Sequence, residues 1–170
     1  MRSRPRRHWA ATLTVAALFL LAATRWSLAS RAETPAQPID FSHVVHAGDD
    51  KLSCELCHAT ARRSSFAGIA PVERCIGCHR YINPANPEIG KVRAYFDANE
   101  PIPWQRVYVL PRFVHFSHES HFHAGVDCAE CHGEVPRMEH LARVRELTMG
   151  WCVECHRQRG ASDDCLTCHY

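Results

Sequence analysis

Apolar positions are unevenly spread along this chain. The longest apolar run is residues 10–23 (AATLTVAALFLLAA), behind Arg2, Arg4, Arg6 and Arg7 and ahead of Ser27, Leu28 and Ala29. A basic start, an apolar stretch and small residues at a cleavage point read as an export signal. The run is short of the roughly 20 residues a spanning helix needs. A retained anchor over residues 9–28 would require Arg25 to snorkel to the interface. Residues 1–30 are therefore expected to be an export signal or an N-terminal membrane anchor. Further on, Ile89, Val92 and Phe96 fall at helical spacing in residues 88–99 (EIGKVRAYFDAN), which predicts a short helix. Asn83, Pro84, Asn86 and Pro87 form a turn cluster before it, and Pro101 and Pro103 stop it. Residues 106–110 (RVYVL) suit a short extended segment and residues 139–147 a second helix. Elsewhere the aliphatic runs are modest. A body of about 140 residues needs something besides aliphatic side chains to fill its interior.

Charge narrows the partners. The whole chain carries a formal +2. Residues 1–29 hold five arginines and no acid, leaving 15 basic and 18 acidic side chains, a formal −3. The basic excess thus belongs to the targeting segment, and no basic patch of the kind nucleic acid requires is present.

The cysteines supply the chemistry. All ten fall into five Cys-x-x-Cys-His motifs: Cys54/Cys57/His58, Cys75/Cys78/His79, Cys128/Cys131/His132, Cys152/Cys155/His156 and Cys165/Cys168/His169. This is the attachment pattern of c-type haem. Two cysteines three apart lie on one side of a helical turn, so both sulfurs reach the vinyl groups of one porphyrin. The following histidine is then placed to bind the iron. Zinc would account for cysteine pairs but not for a histidine after every pair. A disulfide framework would suit an exported chain but explains neither the spacing nor the histidines. Five covalent c-type haems are expected, with His58, His79, His132, His156 and His169 as proximal ligands.

Of the 13 histidines, seven outside the motifs and the targeting segment remain: His43, His46, His115, His118, His121, His123 and His140. Two segments repeat the order Phe-Ser-His-x-x-His before a haem motif: FSHVVH from Phe41 and FSHESH from Phe116. Histidines three apart share a helical face, suited to two neighbouring haems. His43, His46, His118 and His121 are therefore expected as distal iron ligands. The fifth distal ligand is sought among His140, Met138 and Met149. His140, eight residues after His132, is favoured on residue type alone, histidine being the commoner ligand. The repetition divides the exported part into a first lobe with two haems (31–82), a haem-free connector (83–112) and a second lobe with three (113–170). The fold is expected to be mostly irregular with short α-helices and little or no sheet, the haems forming the core. Tyr95, Phe96, Trp104, Phe113, Phe116 and Trp151 are expected to pack on or between them.

Iron held by protein on both axial sides can change oxidation state but offers no position for substrate. Electron relay follows, rather than bond-making catalysis. A multihaem reductase would need a vacant distal site, often marked by an aberrant motif, and all five motifs here end in histidine.

FSHVVH followed by CELCH is similar to the class III (c3- and c7-type) multihaem cytochromes c, in which such a histidine pair supplies distal ligands. PIPWQRVYVLPRFVHFSHESH from Pro101, CHGEVPRM from Cys131 and TMGWCVECHR from Thr148 resemble the pentahaem cytochrome c subunit of bacterial alternative complex III, a membrane quinol oxidoreductase. That resemblance implies electrons arriving from iron–sulfur and polytopic membrane subunits. They would leave to a cytochrome c or a terminal oxidase on the periplasmic side of the inner membrane. It also pulls the fifth distal ligand towards Met149 or Met138, which lie in the family-like segments. The alternatives are a soluble pentahaem donor to a periplasmic nitrite reductase and an anchored NapC/NrfH-like quinol dehydrogenase.

Overall fold

The computed structural model describes residues 34–170, which form one compact unit. The expected export or anchor segment (1–30) lies outside the described residues. Seven short α-helices carry the fold: α1 (Cys54–Cys57), α2 (Val72–His79), α3 (Pro87–Asp97), α4 (His118–His123), α5 (Cys128–His132), α6 (Met149–Arg159) and α7 (Cys165–Cys168). A π-helical turn spans Val44–Asp49 and a 3-10 turn Val135–Arg137. Irregular chain joins them, and no strand occurs among the described residues. This is the mostly irregular, short-helix architecture expected. No helix among the described residues is long and apolar enough to cross a membrane.

Local sequence explains where the helices start. Asn86 accepts a hydrogen bond from Glu88 N–H, and Pro87 fills the first turn of α3, where its missing N–H costs nothing. Ser117 caps α4, Thr148 caps α6 and Asp164 caps α7. Asp127 opens α5 with a reciprocal capping box, its carboxylate on Ala129 N–H and the Glu130 carboxylate on Asp127 N–H. Caps directly before Cys128, Cys165 and, four residues on, Cys152 start the haem-motif turns where the cysteines need them.

The apolar core is small and sits early in the chain. Ile39, Val72, Ile76, Val92 and Ile102 are buried together, with Tyr95, Phe96, Trp104 and Cys75 packed against them. α2 packs on α3 through this cluster. Tyr95, Phe96 and Trp104 thus pack on protein aliphatic surface. The N-terminal end of the unit is tied to the connector by reciprocal bonds between Gln37 and the Gln105 backbone and by Asp40 N–H to Glu88.

The segments on either side of the connector touch along two seams. The turn Val44–Asp49 packs on Val135–Arg137. A Cβ on Gly48 would lie 2.4 Å from the Pro136 carbonyl oxygen, so only glycine permits that approach. Ser42 Oγ donates to Glu139 beside it. At the other seam, residues 62–65 hydrogen-bond to α4, and the Arg62 guanidinium lies 4.9 Å over the Phe122 ring.

The helix expected over residues 139–147 does not form. There the chain wraps over the end of α5. Val144 N–H donates to the Tyr108 hydroxyl, and the Val144 methyl reaches within 2.9 Å of where a Cβ on Gly133 would stand. These tertiary contacts outweigh a weak helical pattern. Residues 106–110 make no ladder with a neighbour.

Candidate haem-iron sites

The ten cysteines are all unbridged, and each motif places its pair on one short helical turn. No cluster of three or more His, Cys, Asp or Glu forms a metal cage among the described residues.

Exposure divides four of the five pairs, Cys152 and Cys155 both being half-buried. Cys54, Cys78, Cys128 and Cys165 are exposed, whereas their motif partners Cys57, Cys75, Cys131 and Cys168 are half-buried. Motif two shows why. α2 turns Val72 and Ile76 into the apolar core, and Cys75 packs against the same cluster. Cys78, two positions after Ile76, falls on the opposite side of the helix from it, at about 100° per residue. Protein aliphatic side chains occupy the space beside Cys75, and the Cys78 sulfur, the motif's other expected attachment point, stands at the open edge.

The histidines face one another in pairs. His46 lies opposite His79 with ring centroids 5.9 Å apart, His118 opposite His132 at 6.4 Å, and His121 opposite His156 at 6.0 Å. With metal–imidazole bonds of about 2.0–2.1 Å and the ring centre roughly 1.1 Å behind the nitrogen, two imidazoles sharing one iron have centroids about 6.3 Å apart. The three separations fit an iron between each pair. Their interplanar angles of 64°, 9° and 48° differ freely, as rotation about the nitrogen–iron–nitrogen axis allows. His43 neighbours His58. Burial holds its imidazole below its ordinary value, and His58 and His46 add to the effect. Its Nδ1 is buried without a hydrogen-bond partner. In each Phe-Ser-His-x-x-His segment, the first histidine thus lies by the nearer following motif and the second by the next.

Tautomers are set by the backbone. Nδ1 of His46 lies 2.9 Å from the Ser42 carbonyl, of His118 2.8 Å from Ser65, and of His121 2.8 Å from Ser117. Among motif histidines, His58 meets Gly68 (2.6 Å), His79 meets Ile82 (3.1 Å), His156 meets Ser162 (2.5 Å) and His169 meets Phe113 (2.9 Å). A carbonyl only accepts, so Nδ1 carries the proton in every case and Nε2 keeps its lone pair for a metal. This is the outer-sphere arrangement that orients metal-bound histidines. His123 does the reverse, turning Nε2 to the Arg62 carbonyl at 3.0 Å, so its contact leaves no Nε2 for iron.

The thiols neighbour one another across motifs. Burial pushes Cys75 up, with Cys57 adding to it. Cys128 is raised by burial and then by Cys54. Cys131 is raised by burial and then by Cys155, and Cys152 by burial and then by Cys168. His132 is lowered by burial first, then by His118 and His58.

The fifth site is less complete. Behind His169 stands the Phe113 ring, at 5.9 Å. His115 stacks on Tyr170 at 4.1 Å, and its backbone N–H donates to Cys168. Of the three candidate ligands, His140 sets Nδ1 3.4 Å from Asp40 in an exposed position, and Met138 lies beside Gly133 at the end of α5. Met149 stands at the start of α6, 72% exposed.

Phe41 and Tyr108 escaped the sequence reading, and Phe116, expected against the haems, takes the same place beside its histidine pair as Phe41. Phe41 lies 4.9 Å from His43 and 4.4 Å from His46; Phe116 stands in the same relation to His118 (4.8 Å) and His121 (4.4 Å). The phenylalanine opening each repeat is thus a spacer between two imidazoles. Its presence in both copies was the available signal. Tyr108 sets its ring edge 4.7 Å from His132 and donates to the Cys131 carbonyl.

Residues 114–170 match the family model described as "Cytochrome c7 and related cytochrome c". Over 135 residues the chain is 35% identical to the "Menaquinone reductase, multiheme cytochrome c subunit" of Nitratidesulfovibrio vulgaris, covering 79% of this chain. The aligned region spans 57% of that relative's length. Residues 114–170 are thus similar to the cytochrome c7 family and the wider chain to a multihaem cytochrome c subunit, likenesses that agree with its Cys-x-x-Cys-His turns and facing imidazoles.

Proposed function

We propose that the chain carries five covalent c-type haems, one per motif, and relays electrons along them within a quinone-linked membrane assembly. His58, His79, His132, His156 and His169 bind the irons from the proximal side, and His43, His46, His118 and His121 complete four of them. The observation that carries this reading is the facing of three imidazole pairs at 5.9–6.4 Å, each distal ring with Nδ1 tied to backbone. For the fifth iron we assign Met149. It lies one turn before Cys152 on the same face of α6, and Cys152 neighbours Cys168 of motif five. Bound haem supplies one-electron redox chemistry. The protein sets its potential through axial ligands, hydrogen bonds and burial.

The exported chain would work on the periplasmic side, beside iron–sulfur and polytopic membrane subunits. It would exchange electrons with a cytochrome c or a terminal oxidase. The resemblance to the alternative complex III subunit supports flow from quinol outwards. The relative's name, a menaquinone reductase subunit, favours a second reading with flow towards quinone.

The test is the full chain, exported by a host that attaches c-type haem. Intact mass should show five haems, and fewer would overturn the count. His118→Ala should leave one iron able to bind carbon monoxide after reduction. If alanine at His43, His46, His118 and His121 in turn leaves every haem low-spin and inert to carbon monoxide, the distal assignment is wrong. Membranes holding the assembly decide direction. Reduction of the haems by added menaquinol analogue supports outward flow, and reoxidation of prereduced haems by the oxidised analogue supports the second reading.

A further inference from the structure

We propose that the five iron sites form one unbranched line whose order departs from that of the chain: motif two, motif one, motif three, motif four, motif five. This rests on the ligand pairs proposed above. Motifs two and one are joined at Phe41, whose ring is flanked by His46 and His43. Motif one meets motif three where residues 62–65, just after motif one, hold α4. His118 Nδ1 donates to Ser65, Glu119 N–H to Ser64 at 3.1 Å, and His123 pairs with Arg62. The ligand facing motif three is thus oriented by a carbonyl belonging to motif one's loop. Motifs three and four share Phe116, between His118 and His121, and Arg159 of α6 pairs with Glu130 of α5 at 2.6 Å. Motifs four and five are linked through Ser162, whose carbonyl holds His156 and whose hydroxyl lies 2.8 Å from Thr167.

Motif one is thus linked to motif two at Phe41 and to motif three through residues 62–65. Motif one, first in the chain, is therefore an interior site, and motifs two and five are the ends. Each transfer reduces a ferric iron and oxidises its ferrous neighbour, with no bond made or broken. The electron enters one end from a reduced one-electron carrier, a haem or an iron–sulfur centre, and leaves the other end to an oxidised one.

The test uses the full haem-loaded chain and a paramagnetic label at one iron. His46→Ala opens motif two and His43→Ala opens motif one, each creating one high-spin ferric iron. The near-parallel rings of His118 and His132 make motif three recognisable by a rhombic low-spin resonance. A label at motif two should speed the relaxation of one low-spin iron. A label at motif one should affect two, the rhombic signal among them. An equal effect on the rhombic signal from both labels would overturn the order. High-spin iron in neither variant would overturn the ligand pairs themselves, and the order with them. His43→Met and His46→Met provide a second route that keeps iron six-coordinate while raising its potential. Redox titration should show two neighbouring midpoints displaced in the first and one in the second. One displaced midpoint in both would reject the line.

Discussion

Between residues 39 and 104, five aliphatic side chains are buried together under Tyr95, Phe96 and Trp104. From residue 113 to the C-terminus, no residue is buried at all. The first region carries two haem motifs and the second three. Where protein supplies some of its own apolar interior, fewer haem motifs occur. Where it supplies none, the backbone is set by caps at Ser117, Asp127, Thr148 and Asp164 and by the pairs Arg159–Glu130 and Arg157–Asp163. Exposed ion pairs of that kind contribute little. With haem bound as proposed, the second region would draw its folding energy from its cofactors, as small metallodomains do from their metals.

The comparison is tested hardest by leaving haem out. Expressed without haem attachment, the chain should lose its cooperative unfolding transition. Hydrogen exchange should find any remaining protection confined to α2, α3 and their surroundings, with none over residues 113–170. Protection of α5 and α6 in the haem-free chain would remove the distinction between the regions.

A core truncation comes next in size. Ile39 is 3% exposed within the first region's cluster. Ile39→Ala in the haem-loaded protein should destabilise by about 2–5 kcal/mol, the usual cost of such a cavity. Leu166, 72% exposed in the second region, should tolerate alanine within about 0.5 kcal/mol. Denaturant midpoints of the two variants measure the contrast. Equal losses would mean the second region has an apolar interior that exposure does not reveal.

The division between what the sequence discloses and what it hides follows the same physics. The haem motifs are contiguous patterns, so all five motifs could be read directly. The pairs His43/His46 and His118/His121 were legible because helical spacing alone puts three-apart residues on one face, and each lies by an expected motif. α3 appears where its period and the Asn86–Pro87 start predicted it. The failures are tertiary. Residues 139–147 have a helical pattern, yet Tyr108 and Gly133, distant in sequence, hold them in another path. The unequal surroundings of Cys75 and Cys78 follow from α3 packing on α2, which the motif itself does not announce. The grip of residues 62–65 on α4 has no local signature, and the spatial order of the motifs depends on it. The fifth distal ligand stays the least legible, because no second repeat partner points to it.

Gly133 tests how the second region holds its shape. Its φ of 69° lies in the left-handed region, and the Val144 methyl occupies the space of a side chain. Gly133→Ala should destabilise the haem-loaded protein by more than about 1 kcal/mol, combining strained backbone with displacement of Val144. The Val144→Ala, Gly133→Ala double variant should recover the steric part only. Full recovery would show that backbone conformation there is unimportant.

The smallest expected effect concerns the cap of α5. Asp127 accepts from Ala129 N–H at 2.7 Å, and Glu130 closes the box on Asp127 N–H. Asp127→Ala should cost about 0.5–2 kcal/mol, and Asp127→Asn less, since asparagine caps nearly as well. The motif-one turn offers an internal control, because Ser53 makes no side-chain cap before α1. Ser53→Ala should therefore leave the midpoint almost unchanged. If the region without a buried core relies on such local bonds to present Cys128 and Cys131 to porphyrin, Asp127→Ala should also lower haem occupancy at motif three, visible as a four-haem fraction in the intact mass. Ser53→Ala should not. A loss of stability with complete haem loading would confine the cap to the finished fold and leave attachment independent of it.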